Sequence, residues 1–208
     1  MFSASSAIKI SKNIIRMDVS NRTISTDKIN QEWLEIQAAQ KNPARFGVLY
    51  NRYYEPIFRY IYRRCLEEDV TADICSQVFL KAMQKINKYQ FKGVPFSAWL
   101  YRIASNEISQ HYRNQKKTRT VAIEDSNIGD MFEEMEINEL EPYKEKLLAA
   151  LDNLTPKDLQ LIEMRFFEQR PFKEIAEILE ITESNAKVKT YRLLNRMKKV
   201  LVADKASN

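Results

Sequence analysis

Helix-breaking residues are scarce in this sequence. Its 208 residues include three glycines and six prolines, and runs of alternating polar and apolar residues are few. Glycine and proline mark the turns between strands, and alternation is the pattern of a half-buried strand, so a chain with little of either is expected to be helical. The sequence therefore predicts an all-α protein.

Composition and charge indicate which kinds of molecule this protein can bind. The proportions of hydrophobic residues (44%) and charged residues (29%) are ordinary for a soluble globular protein, and the formal net charge of +5 favours an anionic partner. Cys65 and Cys75 have no Cys or His at ligand spacing, so no metal site is expected. With no apolar run long enough for a bilayer and no secretory signal, we expect a cytoplasmic protein that is not an integral membrane protein.

Catalysis is not indicated by the sequence. His111 is the single histidine, no glycine-rich loop is present to cradle a phosphate, and no paired carboxylates recur at fixed spacing on one element. Such a chain offers no nucleophile with a base beside it. We expect neither catalytic residues nor a cofactor.

The stretch from Pro171 to Val200 predicts two helices joined by a tight corner. The first has one apolar stripe at three- and four-residue steps, and Thr182 is well placed to cap the second. A short packed helix, a brief turn and a helix with a basic face form a helix-turn-helix, whose second helix enters a major groove of DNA. An amphipathic hairpin with a solvated basic face is the alternative. The predicted DNA contacts are Ser184, Asn185, Lys187, Val188, Lys189, Tyr191, Arg192 and Asn195.

A second candidate surface is the loop from Asn87 to Pro95 with the helix that follows it. The loop contains Tyr89 and Phe91, and the helix from about Phe96 to Asn114 has a basic far end. Aromatic rings stack on unpaired bases while cations hold phosphates, so this combination is typical of single-stranded nucleic-acid binding. The sequence supports equally a structural role in which both rings cap the core.

The sequence becomes strongly acidic between Thr120 and Glu141. This stretch contains eight acidic residues and no lysine or arginine, which indicates a linker that duplex DNA would repel. The predicted fold is therefore two small helical domains joined by a flexible acidic linker. The predicted segments are a disordered leader (1–26), a first domain (27–115), the acidic linker (116–145), a helix-turn-helix domain (146–202) and a tail (203–208).

Four segments, in their order and spacing, resemble a bacterial RNA polymerase sigma factor of the extracytoplasmic-function type, in the sigma-70 family. They are Thr71–Met83, Phe96–Asn114, Leu154–Glu168 and the helix-turn-helix. In this comparison, residues 27–115 correspond to region 2 and residues 146–202 to region 4. The chain departs from the usual pattern at three positions: Glu180 replaces a turn glycine, Ser105 a common arginine and Gln110 a common aspartate.

The resemblance implies a protein that binds core RNA polymerase, directs it to promoter DNA and assists promoter melting. Region 2 would dock on the clamp helices of the largest subunit through Asp73, Gln77 and Lys81. Region 4 would read the minus-thirty-five element and rest on the polymerase flap. An anti-sigma factor is a further partner in such families, and a stand-alone helix-turn-helix regulator is the alternative function. The residues implied for the melted minus-ten element are Tyr89, Gln90, Phe91, Lys92, Arg102, Asn106 and Arg113.

Overall fold

The computed structural model describes residues 26–115, 125–137 and 141–202. Within these three ranges all regular structure is helical, which confirms the all-α prediction. The predicted leader up to residue 25, the basic segment after residue 115, the rest of the acidic linker and the tail lie outside the described residues.

A first unit is built from four helices around one apolar core. Because their apolar residues recur at helical spacing, each helix buries one face; α2 packs against both α3 and α4. Leu49, Ile57 and Leu100 lie at the centre of this core and are fully buried. The helices are α1 (Thr26–Lys41), α2 (Phe46–Cys65), α3 (Glu68–Lys85) and α4 (Phe96–Gln115), with short 3-10 turns at Pro43–Arg45 and Ile86–Lys88.

The start of α4 is held by a buried carboxylate from α1. The backbone N–H of Phe96 donates to Glu32 Oε2 at 2.7 Å, and the Tyr53 hydroxyl donates to the other oxygen of Glu32. The first N–H groups of a helix have no partner within it, and an anion at that end is favourable. Glu32 thus ties α1 and α2 to the point where the predicted nucleic-acid loop ends.

Proline 56 does not divide α2. A proline inside a helical pattern predicts a kink or a joint, but the helix Phe46–Cys65 continues through Pro56 as a single element, so no joint is present. The chain turns after α2 at Leu66, which has a left-handed backbone with a φ of 58°.

A second unit contains the predicted helix-turn-helix. Thr182 caps its helix as predicted, since its Oγ1 accepts from the N–H of Asn185 at 3.2 Å. Thr155 is a second cap of the same kind, with Oγ1 accepting from the N–H of Asp158 at 3.2 Å. The corner between the last two helices is at Glu180, with a φ of 55°. The helices are α6 (Lys144–Asp152), α7 (Pro156–Ile162) with a π-helical turn at Glu163–Phe167, α8 (Phe172–Leu179) and α9 (Glu183–Val202).

Part of the acidic linker differs from the flexible segment we expected. Helix α5 (Asp125–Glu134) packs against the π-helical turn of the second unit. Its spacing of apolar residues explains this, since they follow one another at three- and four-residue steps and form one face. The buried residues of this segment are Ile128, Met131, Phe132 and Met135.

The two units pack directly on each other, mainly through α4 and α8. A buried ion pair crosses between them, with Arg64 Nη2 at 2.9 Å from Glu163 Oε2 and side chains 1% and 0% exposed. The Tyr101 hydroxyl accepts from Arg170 Nη2 at 2.7 Å across the same interface. Charge and periodicity along the sequence did not predict this interface.

Candidate nucleic-acid interface

Helix α9 presents the predicted DNA contacts on one exposed face. Its packing face includes Ala186, Leu193 and Met197, all buried. Thr190 is buried as well, and its hydroxyl donates to the carbonyl of Ala186 at 2.9 Å. Val188 fits the helical spacing of the packing residues, yet its side chain is 46% exposed and lies with the polar contacts. All eight predicted contacts are exposed: Ser184, Asn185, Lys187, Val188, Lys189, Tyr191, Arg192 and Asn195.

Two of these side chains already have partners within the second unit and α5. Lys187 pairs with Glu183 at 2.9 Å, one helical turn earlier, and both are about half exposed, so the pair is weak. The Tyr191 ring lies 6.2 Å from the ring of Phe172. Partial desolvation, and then the charge of Glu134 on α5, raise the pKa of the Tyr191 hydroxyl.

The loop between α3 and α4 has a defined path. Gly93 adopts a φ of 67°, a conformation that side chains disfavour, and this accounts for a glycine there. Gln40 of α1 donates from Nε2 to the carbonyls of Ile86 at 2.9 Å and Tyr89 at 3.0 Å. Nothing in the sequence marked Gln40, since its partners are more than forty positions away.

Replacing Gln40 by methionine is expected to loosen this loop. The change keeps the length of the side chain and removes two hydrogen bonds, each worth about 0.5–1.5 kcal/mol. Hydrogen exchange should become faster at the amides of residues 87–92, and urea unfolding should show a loss of about 1–2 kcal/mol. Gln31→Met, at an exposed position of the same helix, is the control and should leave both measurements unchanged. Unaltered loop exchange in Gln40→Met would contradict this role for Gln40.

The two loop rings occupy different environments. Phe91 stacks on Trp33 with ring centroids 5.5 Å apart, and 36% of the side chain remains exposed. Tyr89 packs between Phe96 at 5.1 Å and Trp99 at 5.0 Å, and desolvation raises the pKa of its hydroxyl. Phe91 therefore offers a free ring face, whereas Tyr89 is part of the aromatic cluster that supports it.

The cations beside this loop face the second unit. Lys92 Nζ lies 2.9 Å from Glu177 Oε1, and Arg102 pairs with Glu177 and, at 2.7 Å, with Glu180. These residues line a cleft of about 560 Å³ between the loop and the turn of the helix-turn-helix. Among the other predicted contacts, Gln90, Asn106 and Arg113 are exposed, and Arg113 donates to Gln110.

The face predicted to bind polymerase lies on α3. Asp73 and Gln77 are exposed, while Lys81 Nζ contacts both carboxylate oxygens of Glu107 at 2.6 Å. Leu80 and Met83 are each 42% exposed on this helix. The helical spacing of apolar residues in this stretch predicts that Met83 packs inward with Ile74 and Val78, and its exposure shows that this prediction was wrong. An exposed apolar pair beside polar residues is a feature that sequence reasoning missed.

No helix within residues 26–115, 125–137 and 141–202 is long and apolar enough to cross a membrane. The same ranges contain no group of three or more His, Cys, Asp or Glu side chains arranged to hold a metal ion. Neither Cys65 nor Cys75 forms a disulfide bond in this part of the chain, and Cys75 is buried.

Similarity to known proteins was found at the level of family, sequence and structure. The family Sigma-70 region 2 matches residues 49–118, and Sigma-70, region 4 matches residues 144–197. The ECF RNA polymerase sigma factor BldN of Streptomyces coelicolor is 28% identical over 180 residues, which cover 81% of this chain and 65% of BldN, just under two thirds of its length. The ECF RNA polymerase sigma factor SigM of Bacillus subtilis is 24% identical over 153 residues, covering 72% of this chain and 91% of SigM.

A solved structure shares the fold. CnrH in complex with the cytosolic domain of CnrY matches 82% of this chain and 96% of CnrH, with 21% identity and a TM-score of 0.52. The two family matches follow each other in the order region 2 and region 4, and together they cover more than half of the sequence. The chain therefore belongs to the sigma-70 family of RNA polymerase sigma factors and is of the extracytoplasmic-function type.

Proposed function

We propose that this protein binds core RNA polymerase, directs it to promoters with minus-ten and minus-thirty-five elements, and assists promoter melting. The observation that carries the proposal is that one chain has two different candidate nucleic-acid surfaces, each on a unit that matches a sigma-70 region. A stand-alone regulator would need only the exposed face of α9, so this alternative does not explain the aromatic loop. The role is that of a specificity subunit acting inside the cell, with no catalytic step of its own.

For the minus-thirty-five element, α9 is the recognition helix. Side chains at the start of such a helix reach base edges, whereas cations further along contact phosphates. Ser184 and Asn185 are short polar side chains at this end, and the exposed cations Lys187, Lys189 and Arg192 follow. Val188 supplies an apolar contact such as a thymine methyl group accepts, and Tyr191 and Asn195 complete the face.

For the minus-ten element, Phe91 supplies the stacking surface. Its ring is exposed on one side and supported by Trp33 on the other, which suits an unpaired base because stacking needs a fixed ring. Lys92, Arg102 and Arg113 are proposed to hold phosphates, and Gln90 and Asn106 to contact the base. Tyr89 supports this surface from the core.

Docking on core polymerase is assigned to two places. On α3, Asp73, Gln77 and Lys81 would contact the clamp helices of the largest subunit, and the exposed Leu80 and Met83 would add apolar area. The apolar side of the second unit would rest on the flap. The relative CnrH is bound by the cytosolic domain of CnrY, and by analogy we propose that an anti-sigma factor binds this chain too.

A reconstitution tests the function. The purified chain should bind core polymerase from the same bacterium and start transcription at a defined set of promoters, which sequencing of transcripts after overproduction identifies. The free chain should bind the same duplex promoters weakly, because its cations are divided between two units. Sub-micromolar, sequence-specific binding of duplex by the free chain, with no polymerase bound, would instead establish the stand-alone regulator.

Alanine at Lys187 or Arg192 is expected to reduce transcription from promoters that depend on the minus-thirty-five element. Loss of a phosphate contact weakens binding evenly across sequences and lowers the salt slope by about one unit, whereas loss of a base contact costs about 1–3 kcal/mol at one position. Holoenzyme affinity measured at several salt concentrations on point-substituted promoters separates these cases. Lys199→Ala, exposed near the far end of the same helix, is the matched control. Full activity of both Lys187→Ala and Arg192→Ala would contradict the assignment of α9.

A further inference from the structure

We infer that the second unit masks the minus-ten surface in the free chain, with the carboxylates of Glu177 and Glu180 occupying the positions that DNA phosphates would take on Arg102 and Lys92. This inference rests on the proposed role of Lys92 and Arg102 in holding the melted minus-ten strand. It adds that the helix-turn-helix, besides reading DNA, competes with DNA inside its own chain.

The contact engages both cations through their charged groups. Arg102 uses two separate nitrogens, one for Glu177 and one for Glu180, and Lys92 Nζ reaches both oxygens of Glu177 at 2.9 and 3.1 Å. The side chains of Arg102 and Glu177 are each 18% exposed. A phosphate would bind the same two nitrogens of the Arg102 guanidinium that these carboxylates occupy. A DNA strand must therefore displace these carboxylates.

Glu180 has a backbone conformation that favours glycine. Its φ of 55° places a side chain in the left-handed region, which glycine adopts without cost. Glu180 is also one of the three positions that depart from the usual family pattern. Its carboxylate lies 2.7 Å from Arg102, so the contact across the interface accounts for the side chain at this corner.

A second departure lies at the same interface. Ser105 is buried on α4 and its hydroxyl oxygen accepts from Gln160 of α7. An arginine, common at this position in the family, would add a charge where the two units meet. Two of the three unusual residues therefore make contacts that exist only while the units are packed together.

The interface is built in a way that permits separation. Besides apolar packing, polar and ionic contacts hold the two units together. When the units separate, both members of each ion pair are solvated, so neither charge stays buried without its partner. Glu180 and Lys92 have side chains 73% and 51% exposed, and such pairs each contribute about 0–1 kcal/mol. Polymerase and DNA contacts can therefore outweigh the mask.

The recognition helix meets carboxylates of its own chain as well. Glu136, just after α5, lies 3.5 Å from Lys198 of α9, and Glu134 interacts with Tyr191. These contacts are exposed and weak. Tyr191 is one of the eight proposed DNA contacts of α9 and Lys198 is not, so one proposed contact of this helix lies beside a carboxylate of α5.

The test measures DNA binding by the free full-length chain. The probe is a fluorescent single-stranded 20-mer of mixed sequence, and the variant is Glu177→Gln with Glu180→Gln. Removing the competing carboxylates should tighten binding about tenfold at low salt. The control is Glu145→Gln with Asp152→Asn, two exposed positions of α6 that change the net charge equally, and it should bind like the wild type. Equal affinity of the test and control variants would overturn the masking.

A distance measurement gives a second readout. Dyes at positions 48 and 200, both exposed, in a background lacking Cys65 and Cys75, report how close the units are. Energy transfer should change when core polymerase is added, and an unchanged signal in the holoenzyme would also overturn the inference. If Glu177→Gln with Glu180→Gln folds poorly, Glu180→Gly replaces it, because it relieves the strained φ and should tighten DNA binding about two- to threefold.

A separate experiment tests the proposed role of Arg102 in the minus-ten surface, independently of the masking. Arg102→Ala is tested in the holoenzyme on duplex promoters and on templates already unpaired across the minus-ten element. Normal activity on both would refute the role of Arg102 in the minus-ten surface, whatever the free chain binds. Impaired activity, together with no gain of DNA binding by Glu177→Gln with Glu180→Gln, would refute the masking alone.

Discussion

Replacing Glu163 by leucine is expected to destabilise the packed protein by about 3 kcal/mol, near the lower end of the range for breaking a buried ion pair. The change leaves the Arg64 guanidinium, 1% exposed, without its carboxylate at 2.9 Å. The Tyr60 ring, 3.5 Å from the guanidinium carbon, and the Tyr60 carbonyl remain as partners. Glu168, 3.8 Å from the other terminal nitrogen, compensates for part of the lost charge.

The measurement is urea unfolding of the full chain, monitored with one probe in each unit so that separation of the two units is distinguished from their unfolding. Arg64→Met combined with Glu163→Leu should be much milder than Glu163→Leu, because replacing both partners by apolar groups leaves no charge buried. Glu55→Ala, which breaks an exposed pair with Arg59 at 3.8 Å, should change stability by less than about 0.5 kcal/mol. A loss in Glu163→Leu no larger than in Glu55→Ala would show that this buried pair does not stabilise the interface.

Replacing Phe91 by alanine should impair promoter opening while leaving polymerase binding intact. The exposed ring stacks on Trp33 and not in the core, so its loss removes a surface for an unpaired base without unfolding the first unit. Stacking of one base is worth about 1–3 kcal/mol, which corresponds to a decrease in open complex of roughly 5- to 150-fold. A template already unpaired across the minus-ten element should restore activity.

Tyr89→Ala is expected to behave differently from Phe91→Ala. Its ring packs on Phe96 and Trp99, so its removal leaves a cavity and should cost several kcal/mol, on the order of the 3–5 kcal/mol seen for buried aromatic residues. That variant should lose polymerase binding together with opening, and the unpaired template should not restore it. If Phe91→Ala behaves in the same way, Phe91 is a core residue and the minus-ten surface lies elsewhere.

Much of the architecture could be predicted because it depends on neighbours along the chain. The caps at Thr155 and Thr182 and the apolar face of α9 follow from interactions over three or four positions, which periodicity and residue type reveal. The same spacing was present in α5, but the charge of that stretch concealed it. Val188 and Met83 show the limit of periodicity, since both fit the packing pattern and both are exposed.

By itself, the sequence determined the helical class, the helix-turn-helix with its exposed basic face, and the family to which the chain belongs. Only the tertiary structure decided that Phe91 is exposed while Tyr89 is packed, that Gln40 holds the loop, and that the cations of one unit meet the carboxylates of the other. The physical reason is separation along the chain. Arg64 and Glu163 are 99 positions apart, and Arg102 and Glu177 are 75 apart, so these pairs form only through the packing of complete helices.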